Sequence, residues 1–328
     1  MSPRHTHMPL TSQSPSFITR ASRFTRILAP AVLTLALASC DSASADRTEP
    51  SAPQARELVD LRSRVLTYTA DFAPDGHYSP PGTDERERLA DGVGALLDGD
   101  AAEAERRLSP LGLSVTRLTD TDSGRRYDEI AATEPDGDAA HWGRLYLNAD
   151  STLRWNVQVP HPVSDRDTEE LGVRLLEDTP SGALVLAGAH RRAGRSGSAD
   201  VAHREDSAFH TVVEELQKRG VPGLQLHGFS RTRERPYEAI VSGGAAGSAP
   251  GEATALADRL EADGLRVCRG WSARCPLEGT ANVQGRTAER RHALFLHVEL
   301  AAVARGDGRD ADSAAGALAD TLATLDRD

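Results

Sequence analysis

From about residue 153 onward the chain alternates two kinds of segment, and this alternation constrains the fold more than any other feature. Short β-forming runs, LRWNVQV (153–159), ALVLAG (183–188), GLQLHGF (223–229), YEAIVSGG (237–244), LRVC (265–268) and ALFLHVEL (293–300), are separated by amphipathic stretches. Those stretches, TEELGVRLLED (168–178), EDSAFHTVVEELQKR (205–219), EATALADRLEAD (252–263) and ADSAAGALADTLATLD (311–326), carry apolar residues at helical spacing. Strands alternating with helices predict a mostly parallel sheet covered on both faces. ALVLAG, apolar without alternation, is the pattern that burial on both faces produces. The expected fold class is therefore α/β, a three-layer αβα arrangement of the phosphorylase/hydrolase-like kind around a mostly parallel mixed sheet, over residues 151–328.

Upstream, the rhythm is different. DERERLADGVGALL (84–97) sets Leu89, Val93, Leu96 and Leu97 on one helical face, and one or two helices are expected between Asp84 and Leu111. LSVTRLTD, YDEIAATE and HWGRLYLN follow as strands, divided by the turn-type clusters TDSG and PDGD. Residues 57–150 are thus expected to form a small α+β region whose final strands run into the main domain. Residues 1–39 hold four arginines, Arg4, Arg20, Arg23 and Arg26, and no acid. The apolar run Ile27–Ala38 is short of the ~20 residues a spanning helix needs but suits the core of a signal peptide. It ends in Leu37-Ala38-Ser39-Cys40, which resembles the lipobox of bacterial lipoproteins. That resemblance implies cleavage before Cys40, lipidation of its sulfur, and an exported domain held at the extracytoplasmic face of the cell membrane by a flexible tether, 40–56.

An exported chain meets an oxidising compartment, so Cys268 and Cys275 are expected to form a disulfide. The alternative, a thiolate metal pair, lacks a further ligand at the usual spacing. Acids exceed bases by 49 to 38, for a formal net charge of −11, which argues against a dedicated nucleic-acid partner. No phosphate-cradling glycine loop and no G-x-S-x-G elbow occurs.

In open α/β sheets, ligands bind beyond the carboxyl ends of the strands. Three histidines, His161, His190 and His227, close strands at comparable positions. His161 is followed by Asp165 and Glu169; a histidine, a nearby carboxylate and a distant histidine form a zinc-ligand set that leaves one position for water. Glu299, in an otherwise apolar strand, is costly there unless something uses its charge, and is the candidate to take the water's proton. His297 lies two residues earlier on the same strand face and is read as supporting it. His210, mid-helix, and His292, among charges, read as surface positions. Arg286, in the polar stretch TANVQGR (280–286) read as a loop, could clamp a substrate carboxylate.

The order PHPVSDRDTE, LQLHGF, FLHVEL resembles the zinc carboxypeptidase-like superfamily over roughly 155–328, nearest to the poly-γ-glutamate hydrolases and N-formylglutamate amidohydrolases. The resemblance implies that His161, Asp165 and His227 bind Zn²⁺, with Glu169 the alternative carboxylate, and that Glu299 is the general base. Asp200-Val-Ala-His203-Arg204 resembles, loosely, a segment of the formylglutamate enzymes. With His190 and Arg191, Asp200 and His203 would then line the pocket and hold the carboxylate of a small peptide or N-acyl amino acid. The sequence departs from the pattern in having Ser164 where the tight His-x-x-Glu motif places its acid, and an aspartate where a glutamate is usual. These departures keep open a non-catalytic lipoprotein that binds a small ligand or peptide in the same crevice.

Overall fold

The computed structural model describes residues 55–246 and 251–325. The expected signal segment 1–39, Cys40 and most of the expected tether lie outside them. The elements, in chain order, are β1 (Glu57–Val59), α1 (Leu61–Thr69), α2 (Thr83–Leu97), α3 (Ala101–Leu108), β2 (Leu113–Asp120), β3 (Arg126–Ala132), β4 (Arg144–Asn148), β5 (Trp155–Val159) and α4 (Thr168–Asp178). There follow β6 (Gly182–Leu186), α5 (Ala208–Lys218), β7 (Gly223–Phe229), β8 (Ala239–Ser242), α6 (Gly251–Ala262), β9 (Val267–Arg269), α7 (Val283–Arg291), β10 (Phe295–Ala301) and α8 (Arg309–Leu325).

All ten strands join one mixed sheet in the order β1-β2-β3-β4-β6-β5-β7-β10-β8-β9. Its middle, β6-β5-β7-β10, is four parallel strands in a row. The segment 57–150 has the expected α+β content, and its strands extend this same sheet: β4 runs antiparallel to β6, with Leu145 opposite Val185. On one face, α1, α4, α6 and α8 bury Leu61, Leu175, Leu256 and Leu318 against Val157, Leu226 and Val298. On the other, α2, α3 and α5 bury Val93, Leu108 and Val213 against Leu147 and Val185. The three-layer α/β expectation therefore holds.

Two details differ from the sequence reading. Residues 280–286, expected as loop, contain the start of α7, because Asn282 caps it by accepting the Gly285 N–H at 2.9 Å. His210, expected at the surface, is buried on the inner side of α5. α5 is buried around much of its circumference, with the polar Thr211, Glu215 and Gln217 covered as well as its apolar face, so the buried part includes the histidine.

β5 is where the sheet changes direction: β6 lies on one side of it and β7 on the other. The crevice beyond the carboxyl ends of β5 and β7 is the place where such folds bind ligands.

Candidate metal centre

His161 follows β5 by two residues, on a tight turn in which the Asp165 N–H bonds the His161 carbonyl at 2.9 Å. Two non-glycine residues of this turn, Val163 (φ 65°) and Asp167 (φ 69°), adopt left-handed backbone, which is unusual for a β-branched residue. The turn is held in that shape from outside. Glu169 accepts the Val163 N–H at 3.2 Å, and the Arg305 guanidinium donates to the Arg166 carbonyl. Arg305 in turn lies flat against Gly228, where even a Cβ would fall 2.0 Å from its Nη1.

What this turn delivers is Asp165. Its Oδ2 stands 3.2 Å from His161 Nδ1 and 3.2 Å from His227 Nδ1, and all three residues are buried. In a four-coordinate zinc site with bonds of about 2.0–2.2 Å, neighbouring ligand atoms are roughly 3.3 Å apart; Asp165 Oδ2 stands at that spacing from each imidazole nitrogen, and the three residues offer ligand atoms all within 4.8 Å of one another. Asp165 could have capped α4 instead; the N-cap position falls to Asp167. Glu169 is buried but is used on the Val163 N–H, so it supports the turn and does not join the three ligand atoms.

Each imidazole is also gripped at its far nitrogen. His161 Nε2 lies 2.7 Å from Asp200 Oδ1, and His227 Nε2 lies 2.8 Å from Gln225 Oε1. Such outer partners fix ring orientation and tautomer in metal sites. Asp200 also takes the Arg191 guanidinium at 2.9 Å and sits 3.1 Å from His203 Nδ1. Burial by itself would raise the carboxyls of Asp165 and Asp200. The hydrogen bonds of their histidine partners outweigh it and hold both well below the usual carboxylate range. Burial likewise opposes protonation of His161, but its two aspartates win and raise its pKa; for His227 burial wins and lowers it.

Glu299 stands directly across from His227 in the β7–β10 register. One ligand atom each of His227, His297 and Glu299 falls within a 4.8 Å group. The Glu299 carboxylate has no hydrogen bond among the described residues, and burial, with the Asp165 charge second, pushes its pKa up to about 8. His297 lies with its ring 4.7 Å from that of His227 and its Nδ1 unpartnered. The other face of its ring is covered by Gly279, where φ is +69° and an added Cβ would come 2.5 Å from the ring.

These groups line a cleft of about 370 Å³ together with Arg191, His203, Arg274 and the loop 275–282. That loop is tied at its base by the expected disulfide between Cys268 and Cys275. Of the residues expected to line the pocket, Arg191 and His203 do so, and Asp200 stands behind them. His190 does not; its Nδ1 accepts the Arg192 N–H at 3.1 Å and closes a local turn. Arg286 does not either, since it projects from the exposed side of α7. The cation the sequence reading missed is Arg274, and its place inside the cysteine loop RGWSAR was the available signal.

Neither a family model nor a curated protein matches the sequence. Solved structures similar in outline include a metallo-carboxypeptidase of Pseudomonas aeruginosa in complex with (2-guanidinoethylmercapto)succinic acid, at 16% identity over 68% of this chain and 67% of that one, with a TM-score of 0.34. A metallo-carboxypeptidase of Burkholderia cenocepacia shares 14% identity over 70% and 67%, TM-score 0.35. The product-bound ectoine utilization protein EutE of Ruegeria pomeroyi shares 12% over 66% and 71%, TM-score 0.39. Likeness at this level carries no weight for chemistry, which has to come from the side chains of the cleft.

Proposed function

We propose that the cleft is the active centre of a zinc-dependent hydrolase of an amide or peptide bond, acting on a small peptide or N-acyl amino acid. The observation that carries this reading is the convergence of Asp165 Oδ2 on two imidazole Nδ1 atoms, 3.2 Å from each. His161, Asp165 and His227 would hold the ion. Zinc, when bound there, supplies a Lewis acid for the scissile carbonyl and lowers the pKa of water. Glu299 takes a proton from the attacking water as its oxygen adds to the carbonyl carbon. It returns that proton to the leaving nitrogen as the C–N bond breaks, so that a carboxylate and an amine are released. Glu299 is suited to this, since burial holds it close to the boundary between its charged and neutral forms near neutral pH. Arg191 and Arg274 face the same space and favour a substrate with an anionic end.

The proposal extends to location. Cys40, at the end of a basic and then apolar leader, would carry the lipid that anchors the domain outside the cell membrane. Fatty-acid labelling tests this: the wild-type chain should take up label that Cys40→Ala abolishes, and a wild-type chain that takes up none argues against the anchor.

Elemental analysis of the purified mature chain tests the chemistry. Near one zinc per chain is expected, lost in His161→Ala and in His227→Ala, with hydrolysis of N-acyl amino acids or dipeptides lost alongside. A chain that stays folded, takes up no zinc when it is supplied and cleaves nothing overturns the reading in favour of a binding lipoprotein.

A further inference from the structure

A zinc ligand histidine works only if the correct nitrogen is free of its proton, and the polar face of the sheet contains a device that decides this for His227. We infer that Gln225 is a positioning residue which, oriented by three separately anchored amides, fixes the proton of His227 on Nε2 and leaves Nδ1 to the metal. The inference rests on the metal-site reading above.

The orientation of each amide can be traced from a backbone group that has only one role. Asn156 Nδ2 meets the Pro222 carbonyl at 2.8 Å, which can only accept, so Asn156 Oδ1 is left to accept Gln158 Nε2 at 2.8 Å. Gln158 Oε1 must then accept, and it receives Gln225 Nε2 at 3.0 Å. Gln284 is set independently: its Nε2 donates to the Val201 carbonyl at 2.9 Å, so its Oε1 accepts Gln225 Nε2 at 3.3 Å. Asn282 is set by the helix it caps, since Oδ1 accepts the Gly285 N–H and Nδ2 therefore donates to Gln225 Oε1. All three anchors agree. The amide nitrogen of Gln225 points to Gln158 and Gln284, and its oxygen points to Asn282 and to His227 Nε2 at 2.8 Å.

An oxygen at that place demands an N–H from His227 Nε2. Flipping Gln225 to offer an N–H instead would set its NH₂ against the Asn282 NH₂ and its oxygen against two carbonyl oxygens, costing several buried hydrogen bonds at once. Gln225, Gln158, Asn156 and Gln284 are all fully buried, so water does not offer a substitute partner. The backbone groups that set these amides are the Pro222 carbonyl just before β7, the Val201 carbonyl in the segment before α5 and the Gly285 N–H of α7, so His227 Nδ1 is aimed by the packing of three parts of the chain.

Zinc affinity of the mature chain, measured by competition with a chelator and by the visible spectrum of the Co²⁺ form, tests this. Gln225→Met keeps the volume and removes the acceptor, and is expected to weaken binding by roughly 10–100-fold. Nitrogen-15 NMR of the imidazoles should show the His227 proton on Nε2 in the zinc-loaded wild type. A Gln225→Met chain that binds zinc as tightly as wild type, or a wild-type His227 protonated on Nδ1, overturns the inference. The NMR measurement requires no variant, so it decides the matter even if Gln225→Met does not fold. A wild-type chain that takes up no zinc defeats the hydrolase reading instead; the His227 proton is then read in the metal-free protein, where Nε2 upholds the positioning and Nδ1 overturns it.

Discussion

The two faces of the central strands are equally buried and chemically opposite. Along β5, β7 and β10, Val157, Val159, Leu224, Leu226, Leu296, Val298 and Leu300 face α4, α6 and α8, while Asn156, Gln158, Gln225, His227, His297 and Glu299 face the other way. The apolar face stabilises by removing hydrocarbon from water. The polar face gains nothing from burial and is tolerated only where each group finds a partner. At its amino end every amide is paired. At its carboxyl end His227 is paired but its neighbours are not, with His297 Nδ1 unpartnered and the Glu299 carboxylate without a hydrogen bond among the described residues. A buried polar stripe that is satisfied everywhere except at one end marks that end as the place where a ligand completes it.

The sharpest way to break this contrast is to neutralise the unsatisfied end. Glu299→Gln keeps shape and removes the base, and kcat should fall by roughly 10²–10⁴-fold while zinc content stays near wild type; retained turnover would mean that Glu299 is structural. Next comes the opposite face. Leu226→Ala should cost about 2–5 kcal/mol in unfolding free energy, read by denaturant titration, with KM and zinc affinity of the folded fraction unchanged. A change in zinc affinity as large as that of a polar-face variant would show that the two faces are not independent.

The stripe also explains how much could be read from sequence alone. WNVQV, LQLHGF and FLHVEL each alternate polar and apolar residues, and that period of two places His297 and Glu299 on one face. The strand–helix alternation gave the sheet, and strand-closing histidines gave His161 and His227. Other features depend on contacts that are distant in sequence. Glu169 and Asp165 are equally acidic and near His161, and only the left-handed turn at Val163 separates brace from ligand. The pairing that joins 57–150 to the main sheet, β4 antiparallel to β6, has no local signature. Gln225 and Gln158 look like tolerated polar residues until the neighbouring strands bring their amides together.

A pH profile sharpens the comparison at smaller amplitude. Glu299 must be deprotonated to accept a proton, so kcat/KM should rise with pH and level off once that group has ionised. Burial sets the limb toward about 8, and a bound cation draws it lower. The limb should vanish in whatever residual activity Glu299→Gln retains; a limb that persists unchanged belongs to another group.

The smallest expected effects separate the arginines. Arg191 is tied to Asp200 and lines the cleft, so Arg191→Gln should raise KM for an anionic substrate and loosen the carboxylate that holds His161. Arg274 lines the cleft without an ion-pair partner among the described residues, so Arg274→Gln should raise KM with little change in stability or zinc content. Arg286 was the sequence candidate for that clamp, yet it is exposed on α7 and does not line the cleft. Arg286→Ala should therefore leave KM unchanged and shift stability by no more than about 0.5 kcal/mol. Steady-state kinetics beside a thermal melt would check it, and a KM rise matching that of Arg274→Gln would return Arg286 to the substrate path.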